Sequence, residues 1–246
     1  MQSIRRILII IAVAVFASMP VRAAEAHSPV LVAVATNFSQ IAEELARVFE
    51  ERTGVPITIA SGSTGHIYAQ VVNGAPYHIF LAADQTRPQK LEEAGIGLKR
   101  FVYARGYIGF WFPNNAASEA ALQESSFNHL AIANPALAPY GLAAQEALTA
   151  LGVWAQLQDK IVMGQNVGQT HALIASGNAE AGIIDNGQRR EKGEFWLVPP
   201  ELYRPILQEA VLLSDDPAAV VFFDFLASSD AQAMIKQAGY GVPNDG

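Results

Sequence analysis

The 246-residue chain contains no cysteine, and charged residues make up only 16% of it. Without Cys there is no thiol nucleophile, no thiolate-bound zinc, no iron–sulfur ligation and no disulfide staple. Basic residues are the scarcer sign, 16 against 23 acidic, for a formal charge of −7. That balance argues against nucleic acid, whose binding domains are usually basic. Repeats and low-complexity stretches are also missing. What remains is 51% hydrophobic residues, enough for a core in one large or two small domains.

The first residues read as an address. Arg5 and Arg6 precede an apolar run from Ile7 to Ala17, followed by Ser18, Met19, Pro20 and small residues. A basic start, a short apolar centre and a small-residue exit make a secretory signal peptide; a membrane-spanning helix would need about 20 apolar residues. The expected signal covers residues 1–23, with a cut after Ala26 as the other possibility. Cutting after Ala23 leaves 13 basic residues against 23 acidic ones. No Cys follows to carry a lipid, so a soluble, periplasmic protein is expected.

The remaining chain alternates strand and helix. Leu31 to Ala35 is a short apolar run without polar alternation, as in a strand buried on both faces. Ile41, Leu45, Val48 and Phe49 then fall on one helical face, and Gly54 supplies the stop. Ile57–Ala60 and His78–Ala82 read as strands, separated by a helix with Ile67, Val71 and Val72 on one side. Asp84 is placed to cap a helix running through Leu91 to Gly95. Leu130–Ala133, Lys160–Val162 and Ala181–Ile184 are further strands, with helices at 141–151 and 167–176. Such alternation means parallel sheets covered by helices, an α/β fold. Two extended segments, Phe101 to Pro113 and Leu197 to Leu213, suggest two lobes joined by a double crossover. The division is residues 27–107 with 206–246 for lobe one and 108–205 for lobe two. A C-terminal helix near Ala218 to Ala238 returns to lobe one.

Four turns carry the chemical signal: Thr36-Asn37, Ser61-Gly62-Ser63-Thr64-Gly65, Pro139-Tyr140-Gly141 and Asn166-Val167-Gly168. Each follows a strand and starts a helix, at the end of the strand where open α/β sheets bind ligands. Helix N-termini offer free N–H groups and about half a positive charge, which suits anions. Ser, Thr and Asn add neutral donors, although they are also ordinary N-caps. Two such turns per lobe suggest a shared anion cleft.

The residues at these turns carry a resemblance. Ala35-Thr36-Asn37-Phe38, Ser61 to Gly65 and the string from Gly74-Ala75-Pro76 through Ile79-Phe80 to Ala83-Asp84 resemble the periplasmic molybdate-binding proteins of ABC importers. Pro139-Tyr140-Gly141 to Leu148, and Asn166-Val167 with the helix after it, are similar to that family's second lobe. The resemblance runs from about Val30 to Gly241. It implies a two-lobed periplasmic binding protein of type II, with two parallel-rich sheets joined by two crossover segments. It also implies a tetrahedral oxyanion ligand, molybdate or tungstate, held by Thr36, Asn37, Ser63, Tyr140 and Val167. Ser61 and Thr64 are register alternatives to Ser63, and Val167 would act through its backbone N–H. An inner-membrane ABC permease is the implied partner, with no cofactor, no cationic metal ligands and a monomeric state. Two positions depart from the better-studied type. Asp185 stands where that type has a ligating Tyr, so Tyr140 is expected to supply the phenolic donor while Asp185 points away. His78 replaces the usual Asp and is expected to be structural.

A donor-only site discriminates. Hydrogen phosphate carries a proton that needs an acceptor, and a dry cleft without one rejects it. Sulfate has no proton, so its exclusion must rest on size. The rival readings are another oxyanion such as sulfate, a secreted hydrolase, and a metal site. No Gly-x-Ser-x-Gly elbow and no phosphate-loop Lys is present, and His27, His66, His78, His129 and His171 have no paired ligand spacing. Trp111, Trp154 and Trp196 are expected in the core or at its rim, and residues 188–192 in a solvated turn.

Overall fold

Val30–Ala35 (β1) lies between Ile57–Gly62 (β2) and Ile79–Ala82 (β3), parallel to both. The computed structural model describes residues 28–188 and 194–243. The expected signal peptide and most of the 188–192 turn lie outside them. The first helices are Ser39–Thr53 (α1), Thr64–Val72 (α2) and Thr86–Glu93 (α3). Ile41, Leu45 and Phe49 face the sheet, as their spacing predicts, and Gly54 closes α1 at φ 73°. Such a left-handed stop is strained for any residue with a Cβ.

The chain then crosses between sheets. Lys99–Gly106 (β4) is in the first sheet and Ile108–Phe112 (β5) in the second, with only Tyr107 between them. The second sheet repeats the first. Its elements are Glu119–Glu124 (α4), Leu130–Ala133 (β6), Pro139–Ala150 (α5), Trp154–Leu157 (α6), Ile161–Gly164 (β7), Val167–Ala175 (α7), Ala181–Asp185 (β8) and Glu194–Leu197 (β9). Ile206–Leu212 (β10) crosses back, and Pro217–Leu226 (α8) and Ser229–Gln237 (α9) follow. The sheet orders are β2-β1-β3-β10-β4 and β7-β6-β8-β5-β9. In each, the strand that has just crossed over, β10 or β5, runs antiparallel to both neighbours. The α/β class and the two sheets joined by crossovers are therefore as expected.

Local differences have local causes. β2 alternates between exposed and half-buried positions because it is a sheet edge. Val72 is half exposed, at the end of α2 and off its buried face. The helix expected from Gly141 starts two residues earlier, with Pro139 in its first turn, where its missing N–H costs nothing. Asp84 sits just outside α3, yet its Oδ1 accepts the Arg87 N–H at 3.0 Å, so it serves the first turn as a cap does. The single C-terminal helix is two, bent by 56°. The Ser228 hydroxyl takes the Ala231 N–H and restarts the chain as α9. Helices α1 and α8 meet through Phe49 and Phe222, rings edge to face at 5.0 Å, so the C-terminal pair does return to the first sheet. His78 Nδ1 accepts the Leu31 N–H at 2.8 Å, a structural role. Trp111 is buried and stacks on His171.

Asp216 accepts the N–H groups of both Ala218 and Ala219 at the start of α8, at 2.9 and 3.0 Å. Asp216→Ala is expected to lower unfolding stability by about 1 kcal/mol, read as a lower urea midpoint with unchanged slope.

Candidate functional site

The carboxyl ends of β1, β2, β6 and β7 converge between the sheets. There Thr36, Asn37, Ser63, Thr64, Tyr140, Asn166 and Val167 line a small void open to solvent on one side. All five residues expected to hold the ligand border it, and among the described residues no charged side chain does. Of the register alternatives, Ser61 is exposed and does not line the void. Thr64 lines it; its hydroxyl accepts the Ala83 N–H at 3.2 Å and keeps its own hydrogen to donate.

Each wall is positioned by a helix start. Ser63 caps α2, its Oγ accepting the His66 N–H at 3.3 Å; its own hydroxyl hydrogen stays available. Asn166 caps α7 in the same way, accepting the Gln169 N–H at 2.9 Å. Val167 and Tyr140 lie in the first turns of α7 and α5, where backbone N–H groups have no intrahelical acceptor. Thr36 and Asn37 lie in a single 3₁₀ turn, Thr36–Phe38, before α1. The Thr36 hydroxyl is buried without a hydrogen-bond partner. A buried unpaired hydroxyl is costly unless a ligand or water completes it.

Behind the void lies a polar network that joins the two sheets. Asn37 Nδ2 donates to Gln208 Oε1 at 2.8 Å and to the Tyr140 phenol oxygen at 3.3 Å. Gln208 Nε2 donates to the same phenol oxygen at 3.3 Å, and Tyr103 donates to Gln208 Oε1 at 3.3 Å. The Tyr240 hydroxyl donates to the Asn37 carbonyl at 2.7 Å and contacts Asp185 Oδ1 at 3.3 Å. Gln208 and Asp185 are fully buried, and Asp185 does not line the void. The phenol of Tyr140 fits because Gly106 has no Cβ; one placed there would lie 2.1 Å from the phenol oxygen. The Tyr140 phenol oxygen accepts two amide N–H groups of the framework and keeps its own hydrogen to donate. Its first-turn N–H is a second group open to an anion.

Sequence reasoning missed Gln208, Tyr103 and Tyr240. The first had a signal: Gln208-Glu209 interrupts the apolar run from Ile206 to Leu213. The two lobes also touch beside a neighbouring cleft. Gly65 N–H donates to the Leu137 carbonyl at 2.9 Å, and Arg87, ion-paired with Asp84, donates to the Ala136 carbonyl at 3.3 Å.

Two lobes of α/β type, joined by two crossovers and meeting over a void lined by neutral donors, define a solute-binding protein of type II. The model of the bacterial extracellular solute-binding proteins matches residues 30–241. Molybdate-binding protein ModA of Rhodobacter capsulatus is 39% identical over 224 residues, 87% of this chain and 89% of the relative. The ModA of Azotobacter vinelandii is 41% identical over 226 residues, 87% and 90% of the two chains. The solved Azotobacter vinelandii periplasmic molybdate-binding protein superposes with a TM-score of 0.84, covering 87% of this chain and all of that one. The sulfate-binding protein SubI of Mycobacterium tuberculosis, 14% identical, shares the fold with a TM-score of 0.74 over 89% of this chain and 88% of its own. The chain belongs to the bacterial extracellular solute-binding proteins and, within them, to the ModA family.

Burial holds the Tyr103, Tyr140 and Tyr240 phenols well above the ordinary value of 10.0, and the Asp185 charge adds to this for Tyr140 and Tyr240. The unfolded chain therefore loses these protons first. Stability from the network is complete below about pH 10 and falls as pH rises through the folded values. Denaturation at pH 8 and 11, with tyrosinate absorbance alongside, is expected to show late ionisation tied to unfolding. A second expectation is that Gly106→Ala, which drives a methyl into the Tyr140 phenol, lowers the thermal midpoint by several degrees, as overpacking by about 1–3 kcal/mol would.

Proposed function

We propose that this protein captures molybdate, and tungstate equally well, in the void between its lobes and delivers it to an inner-membrane ABC permease. The observation that carries the reading is the set of walls. Three helix starts and a 3₁₀ turn point neutral donors at one small space without a charged side chain. Thr36 and Ser63 act through hydroxyls, Asn37 through the 3₁₀ turn, Tyr140 through its phenol hydrogen and first-turn N–H, and Val167 through its first-turn N–H. The anion's charge is met by helix N-termini rather than by a counterion. The names of the relatives at 39% and 41% identity support molybdate as the ligand. Tungstate follows from chemistry, since the two oxyanions are nearly the same size.

The lobes are residues 27–107 with 206–246, and 108–205. The ligand bridges them, so it favours the closed arrangement by its contacts to both sides. The protein works as a monomer in the periplasm, exported by a signal peptide removed after residue 23 or 26, and its role is capture, without catalysis. Hydrogen phosphate is rejected because its proton finds no acceptor. Sulfate is rejected because its shorter bonds leave donors unfilled.

The test is thermal unfolding with molybdate, tungstate, sulfate and phosphate in turn. A ligand at 100 times its Kd stabilises by about 2.7 kcal/mol, several degrees for this size. Shifts with molybdate and tungstate alone are expected, and an equal sulfate shift would overturn the size argument. Ser63→Ala is expected to weaken molybdate binding in calorimetry by about 1–3 kcal/mol through a lost donor.

A further inference from the structure

On the side of the void formed by α7, the tightest approach between the lobes is steric. Gly168, the second residue of α7, faces the methyl group of Thr36. A Cβ at position 168 would lie 2.5 Å from Thr36 Cγ2, closer than real carbon contacts allow. The other atoms near that point are Asn166 Oδ1 at 3.4 Å and Thr36 Cβ at 3.8 Å, both at ordinary contact distance. One methyl group therefore sets how close α7 comes to the 3₁₀ turn.

The same side chain carries the unpartnered hydroxyl. Thr is stiff about χ1, and its methyl and hydroxyl turn together. The methyl occupies space that a Cβ of residue 168 would need, so the hydroxyl keeps its present direction only while residue 168 is glycine. A side chain at position 168 would leave two ways out. Either the lobes stay apart, or Thr36 rotates and carries its hydroxyl away.

We propose that Gly168 is a specificity-determining, positioning residue: it fixes the width of the closed cleft and, through the Thr36 methyl, the aim of the Thr36 hydroxyl. This rests on the reading of the void as the oxyanion site. The gap it permits suits one size of tetrahedral anion. A wider gap leaves donors on one lobe short of the ligand, whichever oxyanion enters.

The test is a double-mutant cycle between the two positions, read by calorimetry with molybdate. Gly168→Ala is expected to weaken binding about tenfold or more, within the cost of overpacking by one methyl. In the Thr36→Ser background, which keeps the hydroxyl and lacks the methyl, the same substitution is expected to cost no more than about threefold. Equal losses in both backgrounds, or no loss in the first, would overturn the proposal. Ala is a better helix former than Gly, so Gly168→Ala should not lower the thermal midpoint of the ligand-free protein. That separates misfolding from misfitting.

A second measurement does not depend on the ligand. The chain has no cysteine, so Val72→Cys on α2 and Met163→Cys on β7, both at exposed positions, provide two unique spin-label sites on opposite lobes. Gly168→Ala is expected to move the interlobe distance distribution outward, and Thr36→Ser to move it back. An unchanged distribution would refute the gauge. Failure of the unsubstituted protein to bind molybdate would instead refute the oxyanion reading, and the labelled pair would still decide the role of Gly168.

Discussion

The buried amide of Gln208 is the point on which both lobes and the candidate site depend. Its oxygen takes N–H and O–H donors from Asn37 and Tyr103, and its nitrogen donates to the phenol of Tyr140 in α5, which packs on the second sheet. Polar groups out of water are costly unless every partner is present, and a satisfied network is correspondingly rigid. Gln208 lies on β10, the strand that has just crossed from the second sheet. The amide that orients the ligand wall is thus held on one of the two segments joining the lobes. The Tyr240 contacts to Asn37 and Asp185 form a second tie across the same plane.

That framework explains how an acidic protein can hold an anion. The net charge of −7 repels one at long range, and among the described residues no Lys or Arg lines the void to offset this. Attraction must come from the first turns of α2, α5 and α7, whose partial charges act over a few ångströms and only while the walls are in place. Neutral donors also carry the selectivity. A cation would attract any dianion, whereas a fixed shell of N–H and O–H groups distinguishes anions by their protons and their size. Tyr140 takes part in both: its phenol oxygen accepts from Asn37 and Gln208, while its phenol hydrogen and first-turn N–H remain as donors.

Much of the fold could be read in the sequence because it rests on local rules. The apolar runs of β1, β3 and β6, the helical spacing of Ile41, Leu45 and Phe49, and the stop at Gly54 each follow from one period or one conformational need. The five residues expected around the ligand do border one void, since strand ends followed by capping residues mark the same end of a parallel sheet. The misses are non-local. The break between α8 and α9 lies in a sequence with no Pro or Gly at the bend. The room for the Tyr140 phenol comes from Gly106, 34 positions earlier. Gln208 sits 171 positions from Asn37, and only the sheet order brings them together.

The shared strand order of the two sheets ties these observations together. In each sheet the crossover strand enters fourth and runs antiparallel. The two connections between lobes therefore lie on the same side of the molecule as the Gln208 network. The parallel strands of each sheet then direct their carboxyl ends, with the helix starts that follow, toward the opposite lobe. Small residues are needed where those ends approach: Gly65 receives the Leu137 carbonyl and Gly168 the Thr36 methyl. On the proposed reading, a framework tied at the back and set by glycines at the front holds the closed gap to one width. Discrimination by size among tetrahedral anions requires that stiffness, because a cleft that could relax by a few tenths of an ångström would close as well on the smaller ion.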